Sequence, residues 1–299
     1  MAVTRLPALP GVYRFSAGDG TVRYLGRATQ LRSRVASYWS DLRDRPHLGA
    51  MVAGIRRVEA VVCDSVAEAT WLERNLLEAA LPPWNATVGG QETEVYIRLD
   101  ERPASPGLAV AHLRQPAAGV RHFGPYLGGL RARQAISGLE RILPLSYTGA
   151  RTAGTRRDLA RVRGYDNVDR AALVTKITSV LQRDPDAVRW ANSELELLRT
   201  KAAGSLAFEL AGRIQGELRA LAWVTSPQRV TTSGQQDFEV VGWTGGTSVR
   251  FEIRAGRLRS WKSGPCALTE VAAERALTPA GWADFAQRNA ELAARLAQP

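Results

Sequence analysis

The 299-residue chain is poor in cysteine, histidine, lysine and long apolar runs. Its two cysteines, Cys63 and Cys266, are too few for a disulfide framework or an all-cysteine metal site. No apolar stretch of about 18 residues occurs, so nothing reads as a membrane span. The opening Met1-Ala2-Val3-Thr4-Arg5 does not read as a signal peptide. These absences lead to the expectation of a soluble, cytoplasmic protein without a membrane partner. The three histidines, His47, His112 and His122, are scattered and lack metal-ligand spacing. Lysine is confined to Lys176, Lys201 and Lys262, so almost all the positive charge is arginine.

That charge is large. A formal net charge of +11 and a pI near 10.4 favour a polyanionic partner, nucleic acid ahead of an anionic membrane surface. An excess of Arg over Lys is also what a GC-rich genome produces. Either way the planar guanidinium forks suit phosphate. The length is enough to bury a sizeable core and leads us to expect two or three domains.

The chain is organised around Gly11-Val12-Tyr13 and Tyr24-Leu25-Gly26. Val12, Tyr13 and Phe15, then Val22, Tyr24 and Leu25, are strand-forming residues on either side of the turn cluster Ser16-Ala17-Gly18-Asp19-Gly20. The pattern predicts a hairpin that brings two phenols together. From Leu31 to Leu42, the apolar residues Leu31, Val35, Tyr38, Trp39 and Leu42 recur at helical spacing, with Arg34 and Tyr38 on one edge of the stripe and Arg32 and Arg43 elsewhere. Val58–Cys63 reads as a third strand. Ser65 and Glu68 form a capping box that opens a helix running to about Ala80, stopped by Leu81-Pro82-Pro83.

In that helix Ala69, Leu72, Leu76 and Ala80 define an apolar face, and Glu73 falls close to its centre while Arg74 and Glu78 point away. A carboxylate on a buried face is costly unless paired or bound to a cation. It is either an ion-pair partner of an arginine such as Arg34 or a ligand for a hard divalent ion. Trp84-Asn85 follows, where the Asn side chain can cap, bridge a water or turn the chain.

Residues 6 to 147 resemble the GIY-YIG nuclease domain of the UvrC excision-repair nucleases and their shorter Cho-type relatives. The stretches that carry the resemblance are Leu9-Pro10-Gly11-Val12-Tyr13, Tyr24-Leu25-Gly26-Arg27-Ala28, Leu31 through Tyr38, Glu68-Ala69, Leu72 through Leu76, Pro82-Pro83-Trp84-Asn85, and Phe123-Gly124-Pro125-Tyr126. The resemblance implies an α+β protein whose first domain is a three-stranded sheet flanked by helices. It implies a catalytic set of Tyr13, Tyr24, Arg27, Arg34, Tyr38, Glu73 and Asn85. Glu73 is there the one protein ligand of a single Mg²⁺ or Mn²⁺. Tyr24 is the general base with Tyr13 beside it, Arg34 neutralises charge on the phosphate, and Tyr38 and Asn85 position phosphate and water. Arg27 stands where these nucleases usually carry Lys; it keeps the charge but cannot relay a proton. The geometry this requires is that Tyr13 and Tyr24 both face the Glu73 carboxylate across a basic cleft.

The remainder divides by pattern into 101–147, a family-specific extension after a nuclease domain at 1–100; 148–225, a helical region; and 226–299, a β-meander plus a helix. Tyr96–Leu99 and Leu108–Leu113 alternate like strands, and a helix is expected from Arg131 to Leu143. Arg32, Arg121, Arg131 and Arg133 are candidates for the DNA backbone, a solvated face being the alternative. The segment from Ser146 is basic, with Arg151, Arg156, Arg157, Arg161 and Arg163. It lacks the cysteine cluster usual at this place in the UvrC family, so no iron–sulfur centre is expected. Leu206 through Leu221 looks like a worn UVR motif, the hairpin that meets UvrB. Gln215-Gly216 replaces its usual Arg-Asp, and Ala207, Ala211, Ile214, Leu218 and Leu221 make an ordinary amphipathic stripe. The meander looks like the opening of a second, RNase H-like half, whose acidic residues are not reached.

The resulting expectation is a metal-dependent endonuclease that nicks one strand of damaged DNA, by family analogy on the 3′ side of the lesion. UvrB is a partner with weak support. The rivals are a structure-selective nuclease that acts without UvrA and UvrB, and a DNA-binding module that does not cut.

Overall fold

The structure is a computed structural model and describes residues 2–40, 48–85, 92–149, 154–162, 164–165 and 168–298. Arg43, His47, Arg151 and Arg163 lie outside the described residues, as does the side chain of Arg156.

The turn cluster and its flanking β-formers make the expected hairpin. β1 (Gly11–Ser16) and β2 (Val22–Ala28) pair antiparallel, with Tyr13 opposite Gly26 and Phe15 opposite Tyr24. β3 (Arg57–Val62) joins the other side of β1, so the strand order is β2-β1-β3. α1 (Leu31–Ser40) buries Leu31, Val35 and Tyr38, whereas Trp39 at the edge of the same stripe is exposed. A short helix, α2 (Gly49–Ala53), precedes β3, and α3 (Val66–Ala79) follows it. Ser65 caps α3 by accepting the Glu68 N–H at 3.0 Å. The return bond of the capping box comes from one residue earlier, the Asp64 N–H donating to the Glu68 carboxylate at 2.6 Å.

The C-terminal meander is β7 (Phe238–Thr244), β8 (Thr247–Arg254) and β9 (Arg257–Pro265), followed by α9 (Leu268–Ala276), a helix the sequence pattern does not call, and α10 (Ala280–Ala297). The chain forms two compact units, Met1–Gly90 with Pro227–Pro299, and Gln91–Ser226. The breaks therefore fall at 90/91 and 226/227, and the last segment belongs with the first. Leu292 of α10 enters the core made by Tyr13, Phe15, Leu31 and Tyr38. Buried Asn75 of α3 donates to the Val230 carbonyl at 2.9 Å and to the Thr231 hydroxyl at 2.7 Å. The Glu68 carboxylate, fully buried, accepts the Arg229 N–H at 2.7 Å. Periodicity turns Arg74 and Glu78 away from the apolar face, but in the structure that side is covered as well. Glu78 pairs with Arg74 at 2.8 Å and with Arg259 of β9 at 3.0 Å.

Both edges of the first sheet are closed by an asparagine. Asn85 donates to the Leu25 carbonyl at 2.8 Å and accepts the Leu25 N–H at 3.0 Å on β2. Asn289 of α10 does the same to Val62 of β3, at 3.1 and 2.7 Å. A side-chain amide thereby satisfies backbone groups that an edge strand otherwise presents to solvent.

The second unit holds the sheet β5-β4-β6, made of β4 (Glu94–Asp100), β5 (Leu108–Ala111) and β6 (Val120–Leu127), the last containing Phe123-Gly124-Pro125-Tyr126. Five helices follow: α4 (Gly129–Ile142), α5 (Thr155–Val162), α6 (Arg170–Leu181), α7 (Pro185–Gly204) and α8 (Phe208–Thr225). Val95, Ile97 and Leu99 pack with Ala132, Ala135 and Leu139 of α4, and with Ile214, Leu218 and Leu221 of α8. The stripe of the UVR-like helix is thus committed to this core. Buried Glu217 on the same helix is held by both Arg141 and Ser137 at 2.7 Å.

Candidate active site

Two glycines make room for the aromatic cluster. A Cβ on Gly26 would lie 2.7 Å from the Tyr13 hydroxyl and 3.0 Å from the Tyr24 ring, and one on Gly11 would lie 2.2 Å from the Val61 carbonyl. Only glycine lets the Tyr13 phenol lie across β2 and lets β1 sit this close to β3. Tyr13 and Tyr38 share a hydroxyl–hydroxyl bond of 2.8 Å, and Tyr24 lies with its ring centroid 5.9 Å from that of Tyr38 and 6.3 Å from that of Tyr13. The Arg34 guanidinium stands 5.3 Å from the Tyr38 ring centre, so the i, i+4 placement read from the sequence brings cation and phenol together.

Burial pushes the Tyr13 phenol up to about 12, with Tyr24 adding to the shift and Tyr38 and Arg34 offsetting part of it. Tyr24 and Tyr38 are also raised well above the ordinary tyrosine value, chiefly by burial. Glu73 contributes to the rise at Tyr24, and Arg34 opposes it there. These phenols hold their protons in the protein alone.

Glu73 is half-buried on α3. One carboxylate oxygen accepts the Arg27 backbone N–H at 3.1 Å and the other meets the Arg27 guanidinium at 3.1 Å. The pairing predicted with an arginine therefore exists, with Arg27 rather than Arg34. Burial raises the Glu73 carboxyl above its ordinary value even though Arg27 and Arg34 pull the other way. The Arg27 side chain is 45% exposed and also donates to the Thr70 hydroxyl. Thr70 is absent from the sequence-derived set, yet it precedes Glu73 by three residues and so shares its side of the helix.

Of the two phenols required to face Glu73, Tyr24 is partly exposed and feels the Glu73 charge, and Tyr13 does neither. Tyr13 and Tyr38 are both fully buried and share a hydroxyl bond, so neither lines an open cleft, and the expected role of Tyr38 in positioning phosphate directly is not met. Asn85 is fastened to Leu25, the bond that closes β2. Of the candidate DNA-backbone arginines, Arg32 donates to the Leu6 carbonyl at 2.7 Å. Within the second unit, Arg121 pairs with Glu101 at 2.5 Å, Arg131 stacks 3.8 Å over the Trp223 ring, and Arg133 is exposed. A cavity of about 480 Å³ lined by Arg57, Glu59, Trp261 and Ser263 follows β3, the opposite edge of the sheet from Tyr24.

The hairpin, the Arg34–Tyr38 pair and the helical Glu73 are matched as a set: the UvrC-like GIY-YIG domain family covers residues 9–86. Residues 9–86 are a UvrC-like GIY-YIG domain. Similarity to UvrC proteins extends beyond that GIY-YIG domain. The chain is 30% identical over 271 residues to the UvrABC system protein C of Desulforudis audaxviator, covering 86% of this chain and 43% of that protein. It is 36% identical over 154 residues to the protein of that name in Geobacter metallireducens, covering 51% and 25%. The chain thus spans less than half the length of these relatives. Among solved structures, the GIY-YIG N-terminal endonuclease domain of UvrC from Thermotoga maritima, bound to magnesium, is 28% identical, with 28% of this chain and 91% of that one covered and a TM-score of 0.26.

Proposed function

We propose that this chain is a DNA endonuclease of nucleotide excision repair that hydrolyses one phosphodiester bond in damaged DNA, on the 3′ side of the lesion, with one Mg²⁺ or Mn²⁺. The observation that carries the reading is the half-buried Glu73 carboxylate placed where its charge is felt by Tyr24, with Arg34 among the phenols. Among the described residues there is no group of three or more His, Cys, Asp or Glu that could hold a metal ion; the ligand proposed is the single carboxylate of Glu73. A hard oxygen donor suits a divalent cation of this class. Burial raises the Glu73 carboxyl although Arg27 and Arg34 oppose the shift, and the Arg27 side chain that meets it is 45% exposed rather than locked in the interior. The donor therefore fits the cation.

Such a cation supplies charge neutralisation on the phosphate and lowers the pKa of bound water. The rest is done by protein groups. Arg34 places a fixed positive charge beside the scissile phosphate. Tyr38, bonded to buried Tyr13, orients Tyr24. Tyr24, protonated in the protein alone, would first have to lose its phenol proton to solvent, which the Arg34 charge and a bound cation would favour; as phenolate it would then accept the proton of the attacking water. Arg27 holds Glu73 ionised in the meantime and moves no proton.

The test is incision of lesion-bearing and undamaged duplexes by the purified chain and its Glu73→Gln variant, with Mg²⁺ or Mn²⁺, with and without UvrA and UvrB. Cation-dependent nicking that Glu73→Gln abolishes supports the reading; no nick on any substrate leaves a module that binds without cutting. One observation favours a second reading, a nuclease that acts without UvrA and UvrB. The α8 stripe that a UVR-type contact would use is packed inside the second unit. Nicking unchanged by omitting UvrB is the result that selects it.

A further inference from the structure

The sheet of the second unit commits one face to the core and leaves the other with a different chemistry. Val95, Ile97 and Leu99 of β4 point inward and are fully buried, with Leu108, Val110 and Phe123 of the neighbouring strands beside them. Strand alternation sends Glu94, Tyr96 and Arg98 to the opposite face, where all three are partly exposed. Arg98 has Ala109 on one side and His122 on the other, and Tyr96 has Ala111 on one side. On its other side the register slips between Val95 and Ile97, next to the stretch holding Gly124. The rings of Tyr96 and His122 therefore stand over low ground made by two alanines and a glycine.

The acids of β4 already have partners. Asp100 pairs with Arg102 at 2.6 Å and lies 3.9 Å from Arg98, and Glu94 accepts the Tyr96 hydroxyl at 2.7 Å. Burial, then Arg114 and Arg98, disfavour the protonated form of His122. Its ring stands beside the Arg98 position across the strand pair. Aromatic faces beside arginines on a flat sheet match a strand whose bases are unstacked and whose phosphates are evenly spaced. A duplex keeps its base faces stacked inside the helix and offers such rings nothing to stack on.

We propose that the outward face of β5-β4-β6 is a platform for single-stranded nucleic acid, with Tyr96 and His122 stacking on bases and Arg98 meeting phosphate. This goes beyond the nicking reaction and does not depend on Glu73.

The test is fluorescence anisotropy of a labelled oligothymidylate with the full chain in EDTA, where no incision occurs. The wild type binds the single strand more tightly than a duplex of equal length. Tyr96→Ala weakens binding about 5- to 100-fold, while Tyr96→Phe, which keeps the ring, stays within about twofold. Arg98→Ala lowers the slope of log affinity against log salt by about 0.7. Ala111→Glu, a surface change that fills the ground beside Tyr96 with negative charge, weakens binding without altering the melting temperature, and it decides the matter if Tyr96→Ala fails to fold. Equal affinity of wild type, Tyr96→Ala and Ala111→Glu for the oligothymidylate overturns the proposal, as does duplex binding as tight as single-strand binding.

Discussion

The two flanks of α3 carry the same residue types and use them differently. On the flank facing β2, Glu73 is half-buried, holds one backbone amide and a half-exposed arginine, and its charge reaches Tyr24; Asn85 closes the strand next to it. On the far flank, Glu68 is fully buried, its two oxygens accept the Asp64 and Arg229 amides, and the Arg229 guanidinium lies 3.7 Å away; Asn289 closes β3. Burial raises both carboxyls. The difference lies in what is left over. Both oxygens of Glu68 accept backbone amides, whereas one oxygen of Glu73 meets only the half-exposed Arg27 side chain.

Replacing Glu73 breaks the comparison most visibly. Glu73→Gln is expected to lower cation-dependent nicking by about 10³-fold, while thermal stability moves by less than about 0.5 kcal/mol, read by gel assay and calorimetry on the same preparation. A large stability loss would place Glu73 with Glu68. Next in size is Tyr24→Phe, expected to slow nicking by about 10²-fold or more. Tyr13→Phe acts instead on the fold, since the buried Tyr13–Tyr38 hydroxyl bond is lost, at about 1–2 kcal/mol. Equal rate losses in the two variants would return Tyr13 to the reacting groups.

Glu68→Gln should cost about 2–3 kcal/mol in urea unfolding, because one of two backbone amides then faces an NH₂ group. Its pH signature follows from the raised carboxyl. The folded state holds the proton more tightly than the unfolded state, so this stability is fully present below the ordinary Glu range and is lost as pH rises through the raised value. Unfolding measured between about pH 4 and pH 7 should therefore show a falling component that Glu68→Gln removes. Nicking has the opposite trend, falling with acid as Glu73 takes up its proton. The smallest contrast is between the asparagines. Asn289→Ala, at a buried position, should cost about 2 kcal/mol and Asn85→Ala about 1 kcal/mol, both by urea unfolding.

Much of the β2 flank is legible in the sequence because its information is local. The turn cluster places the hairpin, Gly26 announces a close approach, and the spacing of Arg34 and Tyr38 puts cation and phenol on one edge. The far flank is not legible. Helical periodicity gives α3 one apolar face, but Asn75 and Glu78 on the other side are held by Val230, Thr231 and Arg259, more than 150 residues away in sequence. No local pattern reports that a polar side chain has a buried partner so distant. At Asn85 the sequence leaves capping, water-bridging and turn roles open, and only the folded chain brings Leu25, 60 residues away, to its amide. Trp39 lies on the apolar stripe of α1 yet remains exposed, because that stripe is wider than the core it meets.

The division of the chain has a consequence in time. The unit that contains the GIY-YIG domain is assembled from both sides of the inserted segment Gln91–Ser226. At about 5–20 residues per second, a ribosome needs roughly 7 to 27 s to traverse that segment after α3 has been made. During that interval Glu68 and Asn75 have been synthesised and their partners have not. The nascent α3 must wait with polar groups destined for burial still in water, and the helix that carries Glu73 acquires its final support only when the last quarter of the chain emerges.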